Sequence, residues 1–217
     1  MASIAIDGPA GAGKSTIAKL VAKKLGYIYV DTGAMYRAIA YELVRKNVDI
    51  EDEKALSDAC SKMKIAIKYE NGVQQVYMNG ENVTPYLRNE ETGDMASKSS
   101  AKAPVRAALL DIQRNMAVEY NVVMDGRDIG TNVLPNAETK IYLTASADER
   151  ANRRYKELIE KGESADYDKI KADIIERDER DMNRDIAPLK QADDAVLIDS
   201  SNMSIEEVVS AILNEVN

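Results

Sequence analysis

Short apolar runs alternate with segments of helical periodicity along most of the chain. The apolar runs predict strands at Ser3–Asp7, Tyr27–Val30, Val122–Asp125, Lys140–Leu143 and Val196–Asp199. Apolar positions spaced at helical intervals predict helices at Ser15–Leu25, about Ala34–Arg45 and about Ile205–Leu213. Strands that alternate with helices indicate an α/β fold, in which helices flank a central parallel sheet.

Two serines mark the starts of predicted helices. Ser146 is followed three residues later by Glu149, and Ser204 by Glu207, which is the pattern of a capping box. The charged stretch of residues 148–185 is mixed in sign and helical in pattern, so we predict helix there and not a charged tail.

One region departs from the α/β alternation. Met63–Tyr69 and Gln74–Met78 flank Asn71-Gly72, and Asn79-Gly80 follows, which predicts antiparallel strands joined by tight turns. We therefore expect one domain with a core of about residues 1–61 and 101–217 and a small insert of about residues 62–100.

Charge and hydropathy restrict the partners of the chain. Its 217 residues carry 29 Lys and Arg against 37 Asp and Glu, for a net charge of −8, which opposes contact with nucleic acid or an anionic membrane. No apolar run reaches the roughly 18 residues of a membrane span, and the amino terminus lacks a signal pattern. We expect a cytoplasmic monomer that binds small molecules and neither nucleic acid nor membrane.

Residue types that are absent exclude whole classes of chemistry. The chain has no histidine, which excludes Ser-His-Asp and Cys-His nucleophile systems and histidine metal sites. Its one cysteine, Cys60, allows neither an intrachain disulfide nor a thiolate zinc cluster. The chemistry must use carboxylates, Lys, Arg, hydroxyls, backbone amides or a metal ion.

A glycine-rich segment after the first strand carries the most specific signal. Residues 8–15 read GPAGAGKS, a phosphate-binding loop (P-loop) between a predicted strand and a predicted helix. Its small residues let backbone amides surround a phosphate, Lys14 supplies charge at the expected solvent mouth, and the Ser15 hydroxyl suits Mg²⁺. A glycine-rich turn is the alternative, and the strand and helix around the loop favour the phosphate site. A dinucleotide-binding motif would have a third glycine where this chain has Thr16, so the segment does not fit that motif.

Six arginines lie in the carboxyl-terminal third of the chain, and the DxxG and NKxD patterns of signalling GTPases are absent. Arg150, Arg153 and Arg154 lie within about one helical turn, and Arg177, Arg180 and Arg184 are spaced to share one helical face. A solvated helix with acidic partners explains any single arginine best. The whole set favours phosphoryl transfer between two phosphates, where charge accumulates and an ionised phosphate needs no general base.

Two further segments follow predicted strands, where open α/β sheets bind ligands. In the first, Thr32 is a candidate helix cap, and Arg37 can reach an anion at the same helix start. In the second, Asp125 is the candidate acidic residue that ends the Walker B strand and contacts Mg²⁺ through water. Arg127 and Asp128 follow it and are free to contact a ligand, although a surface turn is an equally good interpretation.

Six segments distributed over nearly the whole chain carry a family resemblance: IDGPAGAGKST, VDTGAMYRA, DGRDIGTNVLPNA, KIYLTAS, RDERDMNRDIAPL and LIDSSNMSIEEVV. In these segments the chain resembles the bacterial cytidylate kinases, which are P-loop nucleoside monophosphate kinases. The resemblance implies that the insert at about residues 62–100 binds the monophosphate and that residues 150–184 form a short helical lid. Leu87–Asp94 and Pro104 depart from the family pattern, close to Ser97 and Arg106.

The resemblance also implies a role for each matched residue. ATP phosphates would lie on Gly8, Pro9, Ala10, Gly11, Ala12, Gly13, Lys14, Ser15 and Thr16. The CMP phosphate would contact Thr32, Arg37, Arg127 and Arg184, the cytosine Ser97, Arg106 and Asp128, and the sugar Arg177 and Asp181. Lys14, Arg153, Arg154 and Arg184 would act on the transferred phosphoryl group.

The activity that this resemblance implies is ATP- and Mg²⁺-dependent conversion of CMP, and also dCMP, to the diphosphate in pyrimidine nucleotide metabolism. Two alternatives remain open at this point. The first is a kinase for another monophosphate, chiefly UMP, and the second is a non-catalytic P-loop nucleotide sensor.

Overall fold

A five-stranded parallel sheet forms the centre of the computed structural model, which describes residues 1–216. The strands are β1 (Ser3–Asp7), β2 (Ile28–Asp31), β3 (Ile65–Glu70), β4 (Val73–Met78), β5 (Glu81–Asn82), β6 (Val122–Gly126), β7 (Thr139–Thr144) and β8 (Val196–Asp199). The central sheet has the order β2-β6-β1-β7-β8, and all its neighbours pair in parallel. The predicted α/β fold is confirmed.

Helices cover both faces of this sheet. They are α1 (Lys14–Leu25), α2 (Thr32–Arg45), α3 (Glu53–Ser61), α4 (Glu90–Ser99), α5 (Ala103–Glu119), α6 (Ala147–Glu160), α7 (Tyr167–Asn183) and α8 (Ile205–Asn214). Successive residues of β1 point to opposite faces, so Ala5 packs in one core cluster with α2 and α5, and Ile6 in a second with α1 and α8. None of the helices within residues 1–216 combines the length and apolarity needed to cross a membrane.

A second, antiparallel sheet of β3, β4 and β5 interrupts the α/β order, as the Asn-Gly pairs predict. Asn71 and Gly72 both have positive φ, 52° and 76°, which is the backbone of a tight hairpin turn. The Tyr69 hydroxyl donates to the Tyr29 carbonyl at 2.9 Å, and the Gln74 amide bonds both the N–H and the C=O of Asp31. These contacts attach the small sheet to the end of β2. The limits of the insert at residues 62–100 stay a prediction.

The start of α2 corrects one expectation. Asp31, and not Thr32, caps this helix, because its carboxylate accepts the Ala34 N–H at 2.8 Å. The Thr32 hydroxyl instead donates to the Asp125 carbonyl at 2.6 Å and ties α2 to β6. With the cap one residue earlier, β2 extends to Asp31 and α2 begins at Thr32, ahead of the predicted Ala34.

The charged stretch of residues 148–185 is mostly helical, but it divides into α6 and α7. Ser204 forms the predicted capping box with Glu207 at the start of α8. At the start of α6, however, only half of the predicted box is present, because Ser146 accepts the Glu149 N–H while the Glu149 carboxylate accepts from Arg153 Nε at 2.8 Å. The Arg153 guanidinium competes successfully for this carboxylate.

Candidate active site

The phosphate loop connects β1 to α1 at the carboxyl edge of the sheet. Gly8 has φ of 148°, and a Cβ added there would lie 1.9 Å from the Leu143 carbonyl oxygen, so only glycine fits between the loop and β7. Gly13, immediately before α1, is left-handed with φ of 86°. Backbone amides and a helix amino terminus therefore converge on the inside of the loop, as anion binding requires.

Lys14 does not lie at the solvent mouth of the loop, which corrects the expectation from the sequence. Only 6% of its surface is exposed, and Nζ donates to the Pro9 carbonyl at 2.7 Å. Burial, followed by repulsion from Arg127, holds the pKa of Lys14 well below its usual range. The ammonium group turns inward because the loop carbonyl is a hydrogen-bond acceptor within its reach.

Asp125 lies where β6 ends and gathers three hydroxyl donors. Its carboxylate accepts from the Ser15 hydroxyl at 2.8 Å and from the Tyr29 hydroxyl at 2.9 Å, while its carbonyl accepts from Thr32. Burial, and then repulsion from Asp31, raises the pKa of the Asp125 carboxyl. Ser15 and Asp125 therefore place two oxygen atoms side by side at the foot of the phosphate loop.

A cavity of about 390 Å³ opens beside the loop. It brings together all nine side chains for which the sequence predicts contact with the acceptor, although they come from five separate segments. These nine are Thr32, Arg37, Ser97, Arg106, Arg127, Asp128, Arg177, Asp181 and Arg184. Lys14, Ser15 and Thr16 line the same cavity, so loop and acceptor residues share one space.

The cavity concentrates positive charge. Arg37 and Arg177 each have a buried Nε with no hydrogen-bond partner within residues 1–216. Burial and repulsion from Arg127 lower the pKa of Arg177, and burial lowers the pKa of Arg184. These arginines are buried without full pairing and repel one another. An anionic ligand would reduce both the cost of burying their charge and their mutual repulsion, so the cavity favours an anion.

Asp128 lines the cavity and is only 3% exposed, so the surface-turn interpretation of this segment is wrong. Its Oδ2 atom forms an ion pair with Arg106 and accepts from Asn132 at 3.1 Å. Within residues 1–216, its Oδ1 atom has only a long contact with Arg184, at 3.5 Å. Oδ1 can therefore accept a hydrogen bond from a ligand.

The arginines of the predicted lid take different positions. Arg150 is buried and bonds the Ala10 carbonyl of the loop and the Asp178 carboxylate. Arg153 bonds Glu149 and the Ser200 carbonyl, and its Nη1 would lie 3.8 Å from a Cβ on Gly13. Arg154 forms an exposed pair with Glu157, as the solvated-helix interpretation describes. Neither Arg153 nor Arg154 lines the cavity.

The prediction that Arg177, Arg180 and Arg184 share one helical face is also wrong. Arg177 and Arg184 line the cavity, but α7 ends at Asn183, so Arg184 enters it from outside the helix. Arg180 instead contacts Glu176 of its own helix and Asp94 of α4.

Several residues of the cavity were not predicted. Tyr36 lines it with the Arg106 guanidinium 5.7 Å from its ring centre, and Asp31 and Ser100 also line it. Helical spacing could have identified two of them, since Tyr36 lies one turn after Thr32 and Ser100 one turn after Ser97. Asp31 was not predicted, because the cap of this helix was assigned to Thr32 from the sequence and Asp31 was given no role.

A phosphate loop and a cation-lined cavity at one edge of a parallel sheet define a P-loop phosphotransferase. The fold is shared by an uncharacterized protein from Eubacterium ventriosum, whose crystal structure matches 99% of this chain and 97% of its own length with a TM-score of 0.53 and 11% identity. At that identity the likeness extends to the fold alone.

Sequence comparison places the chain within this class. The cytidylate kinase family model matches residues 4–217. The cytidylate kinase of Listeria innocua is 53% identical over 212 residues, covering 97% of this chain and 94% of that protein. The cytidylate kinase of Caldicellulosiruptor bescii is 50% identical over 211 residues, covering 97% and 93%. The chain belongs to the cytidylate kinase family.

Proposed function

We propose that this protein transfers the γ-phosphoryl group of ATP to CMP and releases ADP and CDP. The observation that carries this proposal is the single cavity in which the phosphate loop faces a buried cluster of arginines and an acidic side chain. An ionised phosphate oxygen of CMP attacks the γ-phosphorus, and the bond from that phosphorus to the bridging oxygen of ADP breaks. No proton need move, which suits a chain without histidine.

The acceptor binds with its phosphate towards the loop and its base towards Asp128. Thr32, Arg37, Arg127 and Arg184 hold the phosphate, and Arg177 and Asp181 contact the sugar, of CMP or dCMP alike. At the base, the Oδ1 atom of Asp128 accepts from the cytosine amino group, while Arg106 and Ser97 contact the remaining polar edge. An ionised carboxylate repels the carbonyl that uracil presents at the same position, so CMP is preferred to UMP.

The donor site fits the triphosphate of ATP, since Gly8 and Gly13 shape a cradle of backbone amides. Ser15 and Asp125 supply the oxygen chemistry that Mg²⁺ prefers. Within residues 1–216 there is no group of three or more His, Cys, Asp or Glu side chains that could hold a metal ion. In the proposed complex, phosphate and water supply most of the ligands of Mg²⁺. When bound, this cation neutralises charge on the phosphates.

Lys14, Arg153, Arg154 and Arg184 stabilise the charge that develops on the transferred group. Lys14 and Arg184 already line the cavity, whereas Arg153 and Arg154 reach it by movement of α6 and α7. We place the reaction in pyrimidine nucleotide metabolism, carried out by a cytoplasmic monomer. The net charge of −8 opposes partners such as nucleic acid or anionic membrane.

A panel of acceptors tests this function. Initial rates of ADP formation are measured with CMP, dCMP, UMP or no acceptor, at saturating ATP and Mg²⁺. We expect the largest kcat/KM with CMP, use of dCMP, and poor use of UMP. Preference for UMP would favour the other monophosphate kinase, and ATP binding without acceptor-dependent turnover would favour the nucleotide sensor.

A further inference from the structure

The strand that leads into the phosphate loop also holds the turn that follows the acceptor residues. Asp7 is the last residue of β1, and its buried side chain is not among those that line the cavity. Its Oδ1 atom accepts the N–H of Ile129 at 2.8 Å, and its Oδ2 atom accepts the N–H of Gly130 at 2.7 Å. One carboxylate therefore binds two successive amides directly after Asp128.

The segment that Asp7 holds has an uncommon backbone. Ile129–Val133 forms a π-helical turn, a conformation that is rare and often found at functional sites. Lys140 supports the turn from a second side, since a Cβ on Gly130 would lie 3.2 Å from Lys140 Cδ and 3.4 Å from Asp7 Oδ2. The turn is thus confined between two side chains that come from the neighbouring strands β1 and β7.

We propose that Asp7 is a positioning residue that sets Arg127 and Asp128 in the acceptor cavity by holding the amides of Ile129 and Gly130. Arg127 and Asp128 immediately precede these amides, so a shift of the turn moves both side chains. This role presupposes the proposed CMP kinase reaction and assigns to β1 a second task besides carrying the phosphate loop.

The effect of losing Asp7 falls on the acceptor and spares the donor. Hydrogen bonds to an ionised carboxylate are stronger than neutral ones, and asparagine keeps only one acceptor oxygen while it turns an NH₂ group towards a backbone N–H. The phosphate loop keeps its own contacts, from Lys14 to the Pro9 carbonyl and from Arg150 to the Ala10 carbonyl. Asp7 has no part in either contact.

The test compares Asp7→Asn with wild type in steady-state kinetics and in equilibrium binding of CMP and of ADP. Wild type is assayed first, because absence of CMP turnover there would refute the proposed function and not the role of Asp7. We expect KM and Kd for CMP to rise about tenfold or more, as loss of a charge-assisted hydrogen bond predicts. KM for ATP and Kd for ADP should stay unchanged. Loss of kcat alone, or equal weakening of both nucleotides, would overturn the role.

Two further variants separate positioning from simple loss of stability. Gly130→Ala keeps the carboxylate but pushes the turn against Asp7 and Lys140, so it should reproduce the CMP-specific defect. Ile212→Val shortens a fully buried side chain in the core cluster of α1 and α8, remote from this turn, and should change neither KM. A raised KM for CMP in Ile212→Val, or a failure of both site variants to fold, would show that the contact serves only the fold.

Discussion

The donor and acceptor halves of the cavity are built by different means. The donor half is one continuous loop, in which backbone amides and glycine conformations form the binding surface and few side chains are needed. The acceptor half consists of side chains from five segments, and its charges are already partly paired with each other, as in Arg127 with Asp181 and Arg106 with Asp128. Specificity for the acceptor therefore depends on how the fold brings distant segments together.

This difference changes what a substitution does in each half. In the loop, most of the binding surface has no side chain to remove, so a single charged residue such as Lys14 carries the largest effect. In the acceptor half, Asp128 and Asp181 each pair with an arginine, and we propose that each also contacts the ligand, so a substitution there changes several contacts at once. The kcat/KM for one acceptor reflects all of these contacts together. The ratio of kcat/KM between two acceptors reflects only the contact in which the acceptors differ.

Lys14→Ala should have the largest effect on activity. Loss of one preorganised cation at the transferred group is expected to lower kcat by roughly 10²–10³-fold, the range seen for single electrostatic donors. The fold should persist, because Lys14 lines the cavity and its removal deletes charge and no part of the hydrophobic core. The measurements are kcat and thermal unfolding, with Lys24→Ala on the exposed face of α1 as the control. Normal turnover in folded Lys14→Ala would remove the basis for a P-loop kinase.

Asp7 joins the two halves, and its titration should appear in the pH dependence of stability. Burial, together with repulsion from Asp128, raises its pKa from 3.8 to about 6, while the Ile129 and Gly130 amides and Lys14 act in the opposite direction. A raised carboxyl pKa gives stability that is fully present below the ordinary value and is lost as pH rises through the folded value.

Chemical unfolding of wild type and of Asp7→Asn at several pH values measures the contribution of Asp7 to the free energy of unfolding. The free energy of unfolding of wild type, relative to the variant, should fall by about 3 kcal/mol between roughly pH 4 and 7. A difference that stays constant with pH would mean that Asp7 does not titrate in this range in the folded protein.

Asp128→Asn tests what distinguishes the two pyrimidines. The amide can donate to the uracil carbonyl, so the preference for CMP over UMP in kcat/KM should fall by about 1–3 kcal/mol equivalent, partly through better use of UMP. The matched control is Asp181→Asn, which also removes a buried carboxylate from the cavity but lies in the proposed sugar site. It should weaken CMP and UMP alike. An unchanged ratio in Asp128→Asn would show that this carboxylate does not contact the base.

Arg153→Ala and Arg154→Ala should give the smallest effects and rank the two lid arginines. If the two arginines act on the transition state, both substitutions should lower kcat more than they raise KM. We expect kcat to fall about tenfold for Arg153→Ala and by less for Arg154→Ala. The order follows from structure, since Arg153 lies beside Gly13 while Arg154 is paired with Glu157 at the surface. Lys156→Ala on the same helix serves as the control. Kinetics like those of the control would assign both arginines to a solvated helix face.

The shape of the phosphate loop could be predicted from local sequence, whereas the proximity of the proposed acceptor residues could not, for a physical reason. The phosphate loop is a local structure, and its glycine spacing can be read from one segment. The central strands and the Asn-Gly hairpin were likewise predicted from local patterns. The resemblance to a known family, and not spacing, supplied the roles of Ser97, Arg106 and Asp181, because their proximity depends on long-range packing.

Predictions were wrong where the hydrogen-bond partner of a side chain could not be identified from the local sequence. Thr32 and Asp31 are both plausible caps for α2, and only the position of the Asp125 carbonyl decides that Thr32 bonds elsewhere. Lys14 was expected at the mouth of the loop, but the Pro9 carbonyl lies within reach of its ammonium group. The bonds from Ile129 and Gly130 to Asp7 join residues more than a hundred positions apart, beyond any local pattern.

The most direct test of the central claim follows the transferred group itself. The wild-type protein is incubated with ATP labelled in the γ-phosphoryl group, CMP and Mg²⁺, and the labelled products are separated and counted. We predict that the label appears in the β-phosphoryl group of CDP, one for each ADP formed, and only when CMP is present. Release of the label as inorganic phosphate at a rate independent of CMP would contradict the account.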